Sequence, residues 1–243
     1  MKTAKKRLAL AIAACFSLAA CVSGGAESGI PTKRKSFTDI AAMEIYLSSF
    51  DENSVDAPIP VKLTADLNDT LDDILFSFYI ARRFVDLDLS DCTGIEEVTV
   101  SKGNFEGIPG FYRATAGSEF IARLAVPGSA SSIGRSAFTD CFYLAGIDMG
   151  GVAAIERNAF SACWGLSEIT IPASVASIGD GAFYGCARIA SVTFEGDIGP
   201  DGLHANAFSG MGDLRDKYFA PGGGRGTYVT ENPGASAAWA KTD

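Results

Sequence analysis

Apolar side chains recur through most of the chain with a period of roughly 23 residues, within the range of solenoid repeats. The clearest markers are Phe138, Phe160, Phe183 and Phe208. Each is accompanied by aliphatic residues at matching offsets, and short alternating runs such as Ile169-Thr-Ile171 follow. A period of this length with one brief apolar alternation per repeat indicates a solenoid with one strand per turn. Successive strands would then stack in parallel, about 4.8 Å apart.

The periodic pattern extends upstream of these four copies. Cys92, Ile95, Val98 and Val100 fit the offsets of the cysteine and aliphatic positions, and a further copy begins at Ser118, with serine in the cysteine place. When these two copies are aligned on Val100 and Val126, more residues separate equivalent positions than between successive phenylalanines. The extra residues of this copy are predicted to form a bulging loop over residues 112–118.

Different patterns flank the repeats, which we place at residues 84–219. Helical spacing predicts helices over 37–49 and 70–82, the first with a capping box at Ser36–Asp39. Because a solenoid needs its terminal coils covered, residues 36–83 are predicted to form a helical N-terminal cap. Residues 220–243 are expected to form an irregular closing segment, with Tyr228 and Trp239 over the last coil.

The beginning of the chain, residues 1–20, indicates export. A basic stretch precedes an apolar run, Leu8–Ala20, which as a helix would span roughly 20 Å, against roughly 30 Å for a bilayer core. We interpret residues 1–20 as a signal peptide. The run Leu18-Ala-Ala-Cys21 resembles a bacterial lipobox, which implies that Cys21 is acylated and becomes the mature N-terminus. The alternative is ordinary cleavage after Ala20. Residues 21–35 would then be a flexible tether.

Charge narrows the possible partners. The chain has 20 Lys and Arg against 29 Asp and Glu, for a formal net charge of −9. Nucleic acids and anionic lipid surfaces bind clustered cations, so neither is expected as the main partner. Membrane contact is expected only through the N-terminal lipid. The presence of one histidine, His204, excludes any site that needs two imidazoles.

Chemistry-bearing residues in the repeats have structural interpretations. A column of single thiols cannot wrap a zinc ion tetrahedrally, and in-register neighbours are poorly placed for disulfides. We therefore predict a column of buried structural thiols and no metal; its members are Cys92, Cys141, Cys163 and Cys186. Likewise His204 is expected in a surface loop, Gly222–Gly226 in a turn, and Asp86 and Asp88 on an exposed strand face. No catalytic residue and no cofactor are predicted.

The remaining candidate is the outer face of the repeat strands, since solenoid arrays usually bind partners on a continuous strand surface. The alternative is a merely solvated face. The face looks small, polar and mildly acidic, without an aromatic anchor, which favours a weak or multivalent contact with a basic partner patch. Its predicted binding positions are Glu97, Thr99, Arg123, Asp148, Glu168, Thr170, Ser191 and Thr193.

The repeat pattern C-x-x-L-x-x-I-x-I-P-x-x-V-x-x-I-x-x-x-A-F closely resembles the BspA-type leucine-rich repeats of bacterial surface proteins. The resemblance implies an α+β repeat protein, a parallel-strand leucine-rich-repeat solenoid of about five coils. It also implies an interaction protein of the outer membrane or cell surface, with adhesion to a host matrix or bacterial surface protein and no enzymatic activity. A monomer is expected. The alternative function is a periplasm-facing structural scaffold of the envelope without a host ligand.

Overall fold

The computed structural model describes residues 31–51, 53–67, 71–98 and 118–242, apart from the side chains of residues 72, 73, 76 and 118. Within these ranges the chain forms short strands, three α-helices and a 3-10 turn at Ser118–Phe120. The helices are α1 Ile40–Ser48, α2 Asp72–Ala81 and α3 Leu214–Phe219. The strands are β1 Lys35–Phe37, β2 Ile59–Leu63, β3 Val85–Asp88, β4 Glu97–Val98, β5 Ile121–Ala125, β6 Ser132–Ile133, β7 Gly146–Asp148, β8 Ala154–Ile155, β9 Glu168–Ile171, β10 Ser177–Ile178, β11 Ser191–Phe194, β12 Gly226–Val229 and β13 Ala240–Lys241.

Parallel strands line two walls of a solenoid, so each coil contributes two strands where the sequence analysis predicts one. One wall contains the ladder β1-β2-β3-β5-β7, beside which the parallel pair β9-β11 lies. The other contains β4-β6-β8-β10. In that second wall Ser132 pairs with Ala154, and Ala154 pairs with Ser177. One sequence repeat therefore separates each residue from its partner in the next coil, and the parallel-strand solenoid is confirmed.

The repeat phenylalanines stack in one column, at a third side of the coils. Phe138, Phe160, Phe183 and Phe208 have successive ring centroids 5.5, 5.3 and 5.2 Å apart, with nearly parallel planes. Backbone hydrogen bonds join the same corners, with the N–H of Phe138 donating to Ala159 and that of Phe160 to Ala182, both at 2.8 Å. All four rings are buried in a core that extends from Met43 to Trp239.

The segment before the repeats shares their sheet. β1 pairs in parallel with β2, and β2 with β3, so that Lys35 lies beside Val61 and Ile59 beside Val85. The helices α1 and α2 connect these strands and contact each other. The N-cap of α1 is Asp39, whose side chain accepts a hydrogen bond from the N–H of Ala41 at 2.7 Å. Ser36, the expected capping residue, lies in β1 instead.

The C-terminal segment is more regular than the sequence indicates. β12 pairs antiparallel with β11, and β13 pairs antiparallel with β12, which extends the strand wall beyond the last coil. Tyr228 and Trp239 are buried, and the indole N–H of Trp239 donates to the carbonyl of Met211 at 2.6 Å. The expectation of an irregular segment is therefore wrong. The two aromatic residues do cover the last coil.

The repeat assignment before residue 118 also needs correction. β4 pairs with β6, whereas Asp88 pairs with Ala125 across β3 and β5. The residues that the sequence analysis aligned with the strands of the first wall, Cys92 to Val98, thus lead into a strand of the second wall instead. In the first wall, the neighbour of β5 on its N-terminal side is β3. The chain between Asp88 and Ala125 is longer than the step expected from the sequence alignment of the two copies. The predicted bulge at 112–118 lies outside the described residues, except for the backbone of Ser118.

Candidate functional site

The outer face of the first wall brings most of the predicted binding residues together. Register places Arg123 beside Gly146 and Ala125 beside Asp148, then Glu168 beside Ser191 and Thr170 beside Thr193. Because side chains alternate along a strand, these positions point away from the core. The strand face, as we call it, contains Arg123, Asp148, Glu168, Thr170, Ser191 and Thr193.

Exposure decreases toward the C-terminal end of the strand face. Arg123, Asp148, Glu168 and Thr170 are exposed, whereas Ser191 and Thr193 are half-buried. The cause is β12, which pairs with β11 and places the Thr227 hydroxyl 3.1 Å from that of Thr193. The accessible part of the face therefore centres on β5, β7 and β9.

Two predicted members do not belong to this face. Glu97 lies in β4, where it pairs with Ser132 on the second wall. Its sequence context matches the repeat only because Ile95 and Val98 are also buried there. Thr99 lies outside the described residues.

An ion-pair network occupies the N-terminal end of the same wall. The Arg34 guanidinium contacts the carboxylates of Asp86 and Asp88 at 2.7 and 2.9 Å. Lys62 contacts Asp88 at 3.5 Å and Asp91 at 2.8 Å. The carboxylates predicted to lie on a plainly exposed strand face are therefore paired, and Asp88 is buried. Arg34, at the end of the predicted tether, is fixed to the solenoid.

Burial opposes ionisation of Asp88, but its hydrogen bonds prevail. The hydroxyl and the N–H of Ser90 donate to one carboxylate oxygen at 2.7 and 2.9 Å. These bonds, together with Lys62 and Arg34, lower the pKa of Asp88 below its ordinary value. The group therefore stays charged in a largely dehydrated position.

The thiol column has three members. The thiols of Cys163 and Cys186 donate to the carbonyls of Phe138 and Phe160, both at 3.0 Å. Cys141 and Cys186 are the thiols that act on Cys163. Cys92 is also free and buried, but it donates to the carbonyl of Leu63 in β2 and lies at a different corner. The prediction that Cys92 belongs to the column is therefore wrong. As with Glu97, the cause is that this part of the chain is not in register with the later repeats.

Contacts with the thiols of Cys141 and Cys186, together with burial, raise the pKa of Cys163 far above its usual range. Cys163 is therefore held as a neutral thiol. Within the described ranges no cluster of three or more His, Cys, Asp or Glu side chains is arranged to hold a metal ion.

The other candidate residues have local partners. Exposed His204 lies 3.3 Å from the Asp180 carboxylate. In the glycine-rich turn, the N–H of Arg225 donates to Asp197 at 2.8 Å, and Lys241 donates to the carbonyl of Gly223 at 3.1 Å. That turn is thus held by its own chain. The predicted lipidation site, Cys21, lies outside the described residues.

The sequence did not reveal a row of aromatic rings at the corner that precedes the strand face. Phe84 contacts the rings of Phe120 and Tyr143, with centroids 5.6 and 5.3 Å apart. Phe142, next to Tyr143, lies 4.9 Å from Trp164. We name these five residues the aromatic ridge. Phe142 and Trp164 directly follow repeat cysteines, and this shared offset is the signal by which they could have been found.

This arrangement of stacked parallel strands and periodic core columns defines a leucine-rich-repeat solenoid. Residues 113–221 match the model of the BspA type leucine rich repeat region in six copies. This part of the chain is therefore similar to the BspA-type leucine-rich-repeat family, and the resemblance noted in the sequence is confirmed. Proteins of this family are typically secreted or surface-displayed, and leucine-rich repeats generally serve as non-enzymatic scaffolds for protein interactions.

A solved leucine-rich repeat protein from Bacteroides ovatus ATCC 8483 is similar to part of the chain. It is 24% identical, with a TM-score of 0.30, and the match covers 46% of this chain and 31% of that one. The chain thus matches about a third of that protein's length. No curated protein matches the chain significantly. No helix in the described part is long and apolar enough to cross a membrane.

Proposed function

We propose that this chain is an exported, lipid-anchored binding protein that contacts a protein partner through the strand face. The observation that carries the proposal is the exposed, register-matched surface of β5, β7 and β9 within a leucine-rich-repeat solenoid. Leucine-rich-repeat surfaces generally bind proteins. Adhesion at the cell surface is the role we assign, with a matrix protein or a bacterial surface protein as partner and the chain as a monomer.

The charges of the strand face favour a basic partner. Asp148 and Glu168 are exposed, and neither forms an ion pair within the described part of the chain. Arg123 is the single cation among the strand-face residues, so the surface has a small excess of negative charge. Exposed charges of this kind guide association and are screened by salt.

The binding experiment compares charge reversals on the two walls. A soluble form beginning at residue 31, which keeps Arg34, is assayed at low salt against matrix proteins and whole partner cells. Asp148→Lys with Glu168→Lys should weaken binding. Glu97→Lys with Glu156→Lys, both exposed near the second wall, is the matched control and should bind like wild type. Equal binding by both double variants would exclude the strand face as the site.

The rest of the chain fits a membrane-tethered domain. We propose residues 1–20 as the signal peptide and 21–35 as the tether, whose last residues, Arg34 and Lys35, are held on the first wall. Residues 36–83 would form a helical cap and 84–219 the repeats, closed by 220–243. The cap proposal is supported by α1 and α2, which cover the core beside β2 and β3. Two or three acyl chains on Cys21 would hold the protein at the envelope.

Lipidation is tested by metabolic labelling with a palmitate analogue. Wild type should be labelled and Cys21→Ala should not; equal labelling of both would refute the lipobox assignment. Protease treatment of intact cells then tests the orientation. Digestion of the repeats supports a surface-displayed adhesin, whereas protection until the outer membrane is permeabilised would support the periplasm-facing scaffold.

A further inference from the structure

We propose that an open cleft beyond the C-terminal end of the strand face binds a short peptide with free termini, through the opposite charges of its two ends. The cleft has a volume of about 710 Å³ and is lined by residues 193–197, which end and follow β11, and by residues 223–226, which lead into β12. Small-ligand sites typically have volumes of about 300–1,000 Å³. This site is additional to the strand face and takes a different class of ligand.

Four charged side chains line the cleft, two of each sign. Glu195 and Asp197 follow β11, Arg225 directly precedes β12, and Lys241 ends β13. Because β12 pairs with both β11 and β13, these residues come together from three strands of one sheet. The fold therefore places two carboxylates and two cations around a single cavity.

The two cations have no carboxylate partner in the part of the chain that the structure describes. Lys241 is half-buried, and its ammonium donates only to the carbonyls of Gly222 and Gly223, at 3.3 and 3.1 Å. Arg225 is exposed, and its backbone N–H is bonded while its guanidinium is not. Unpaired cations beside a cavity are available to a ligand carboxylate, with which they form strong, charge-assisted hydrogen bonds.

The two carboxylates are equally available to a ligand ammonium. Glu195 is exposed, and its carboxylate has no bonded partner among the described residues. Asp197 accepts the backbone N–H of Arg225 at 2.8 Å with one oxygen, which leaves the other unbonded. A simple anion would be repelled by these carboxylates, and a simple cation by Arg225 and Lys241. A ligand that carries both charges meets a complementary group at each end.

A short peptide fits the rest of the lining. Gly223 and Gly226 leave the backbone of the cleft uncovered by side chains, and the half-buried Thr193 adds a hydroxyl group. Peptide amides can hydrogen-bond to both. Tri-alanine, at about 3.5 Å per residue, is roughly 10 Å long, so its termini are well separated, whereas the two charges of a free amino acid lie on adjacent groups.

Isothermal titration calorimetry with tri-alanine tests the proposal on the soluble form that begins at residue 31. Two blocked peptides are compared with it, N-acetyl-tri-alanine without the ammonium and tri-alanine amide without the carboxylate. Tri-alanine should bind saturably, and each blocked peptide about tenfold more weakly or worse, the scale of a lost charge-assisted hydrogen bond. No binding of tri-alanine, or equal binding of either blocked peptide, would overturn the proposal.

A single substitution then locates the site. Arg225→Gln removes a guanidinium without a partner in the described segments, so the fold should be retained, as thermal unfolding verifies. It should weaken tri-alanine binding about tenfold while leaving that of tri-alanine amide unchanged, because the amide lacks the group that Arg225 contacts. Arg188→Gln, at an exposed arginine outside the cleft, is the matched control and should bind like wild type. Equal effects of the two substitutions would show that the peptide does not bind here.

The cleft and the strand face can fail separately. Asp148→Lys with Glu168→Lys changes residues that do not line the cleft, so this variant should bind tri-alanine like wild type. If it loses tri-alanine, the cleft is not the site. If it keeps both tri-alanine and the binding of cells or matrix proteins, the strand-face proposal fails while the peptide site stands.

Discussion

In the three-membered thiol column, a single buried side chain provides a hydrogen bond to the backbone of the neighbouring coil. The thiol of Cys163 donates to the carbonyl of Phe138, one coil away, and the thiol of Cys186 makes the equivalent bond to Phe160. Cys163→Ala should lower the free energy of unfolding by about 1–2 kcal/mol, the scale for losing a small buried group. Cys163→Ser should cost about as much rather than more, because its hydroxyl can donate to the same carbonyl. Urea unfolding measures both, and a serine variant far less stable than alanine would contradict this.

The same column should be chemically inert in the folded protein. The raised pKa of Cys163 leaves essentially no thiolate at neutral pH, and alkylation requires thiolate. Cys141 and Cys186 are buried as well, so we expect all three thiols to react with iodoacetamide only after denaturation. A linked cysteine pair or rapid native labelling, seen by mass spectrometry, would show that the column is not a set of buried free thiols.

Asp88 should make the free energy of unfolding depend on pH in the acidic range. Its pKa in the folded protein lies below the ordinary value of 3.8, so its ionised form favours folding. That contribution is fully present above about pH 4 and is lost as pH falls through the lowered folded pKa. Asp88→Asn should therefore be roughly 1–3 kcal/mol less stable at pH 7, and the difference should disappear as pH falls through the lowered pKa of Asp88. Urea titrations across pH measure this, and a stability difference that is unchanged at acidic pH would contradict the role assigned to Asp88.

Among the elements, the stacked phenylalanine column should carry local stability. Phe160 contacts Phe138 and Phe183 at 5.5 and 5.3 Å and is fully buried. Phe160→Ala should cost about 3–5 kcal/mol. Because a solenoid couples mainly neighbouring coils, hydrogen exchange should accelerate first in residues 132–194. Tyr184→Ala, a truncation at the surface of an adjacent coil, should change neither; equal acceleration across all described segments would contradict nearest-neighbour coupling.

The elements also show how far the sequence alone can lead. The period, the parallel strands and the phenylalanine column could be predicted because buried positions repeat under the same packing constraints. The position of Glu97 could not, because both walls contain buried residues at similar offsets and the coil between Asp88 and Ala125 is longer than the repeats that follow. The pairing of β12 with β11 depends on an available sheet edge, which local sequence does not encode.

One part of the candidate site could be predicted from the sequence and another could not. The strand face around Arg123, Asp148 and Glu168 could be predicted because its side chains alternate with buried ones. The aromatic ridge was missed because exposed positions need not repeat: the residue after the repeat cysteine is Phe142, then Trp164, then Ala187. Its surface is visible only once the corners of successive coils are brought side by side.

At the scale of the whole molecule, a shared sheet and core join the N-terminal coils to the repeats. β1 and β2 continue the ladder of β3, and core contacts extend from Met43 to Trp239. The coils are nevertheless joined only to their neighbours, so a defect at one end must pass through every coil to reach the other. Distance along the solenoid should therefore determine which probes respond to a given substitution.

Trp239 provides a local probe of the far end, because it is buried over the last coil while the second tryptophan, Trp164, is exposed. Phe208→Ala removes the ring that stacks on Phe183 and contacts Phe194. It should cost about 3–5 kcal/mol and lower the urea midpoint reported by Trp239 fluorescence.

Leu47→Ala, at a buried position of α1 at the other end, should cost about 2–5 kcal/mol. Its effect should appear in hydrogen exchange of residues 31–88 while the Trp239 midpoint moves much less. If both variants shift the Trp239 midpoint in proportion to their cost, the N-terminal coils and the repeats unfold as a single cooperative unit, and the nearest-neighbour description fails for this molecule.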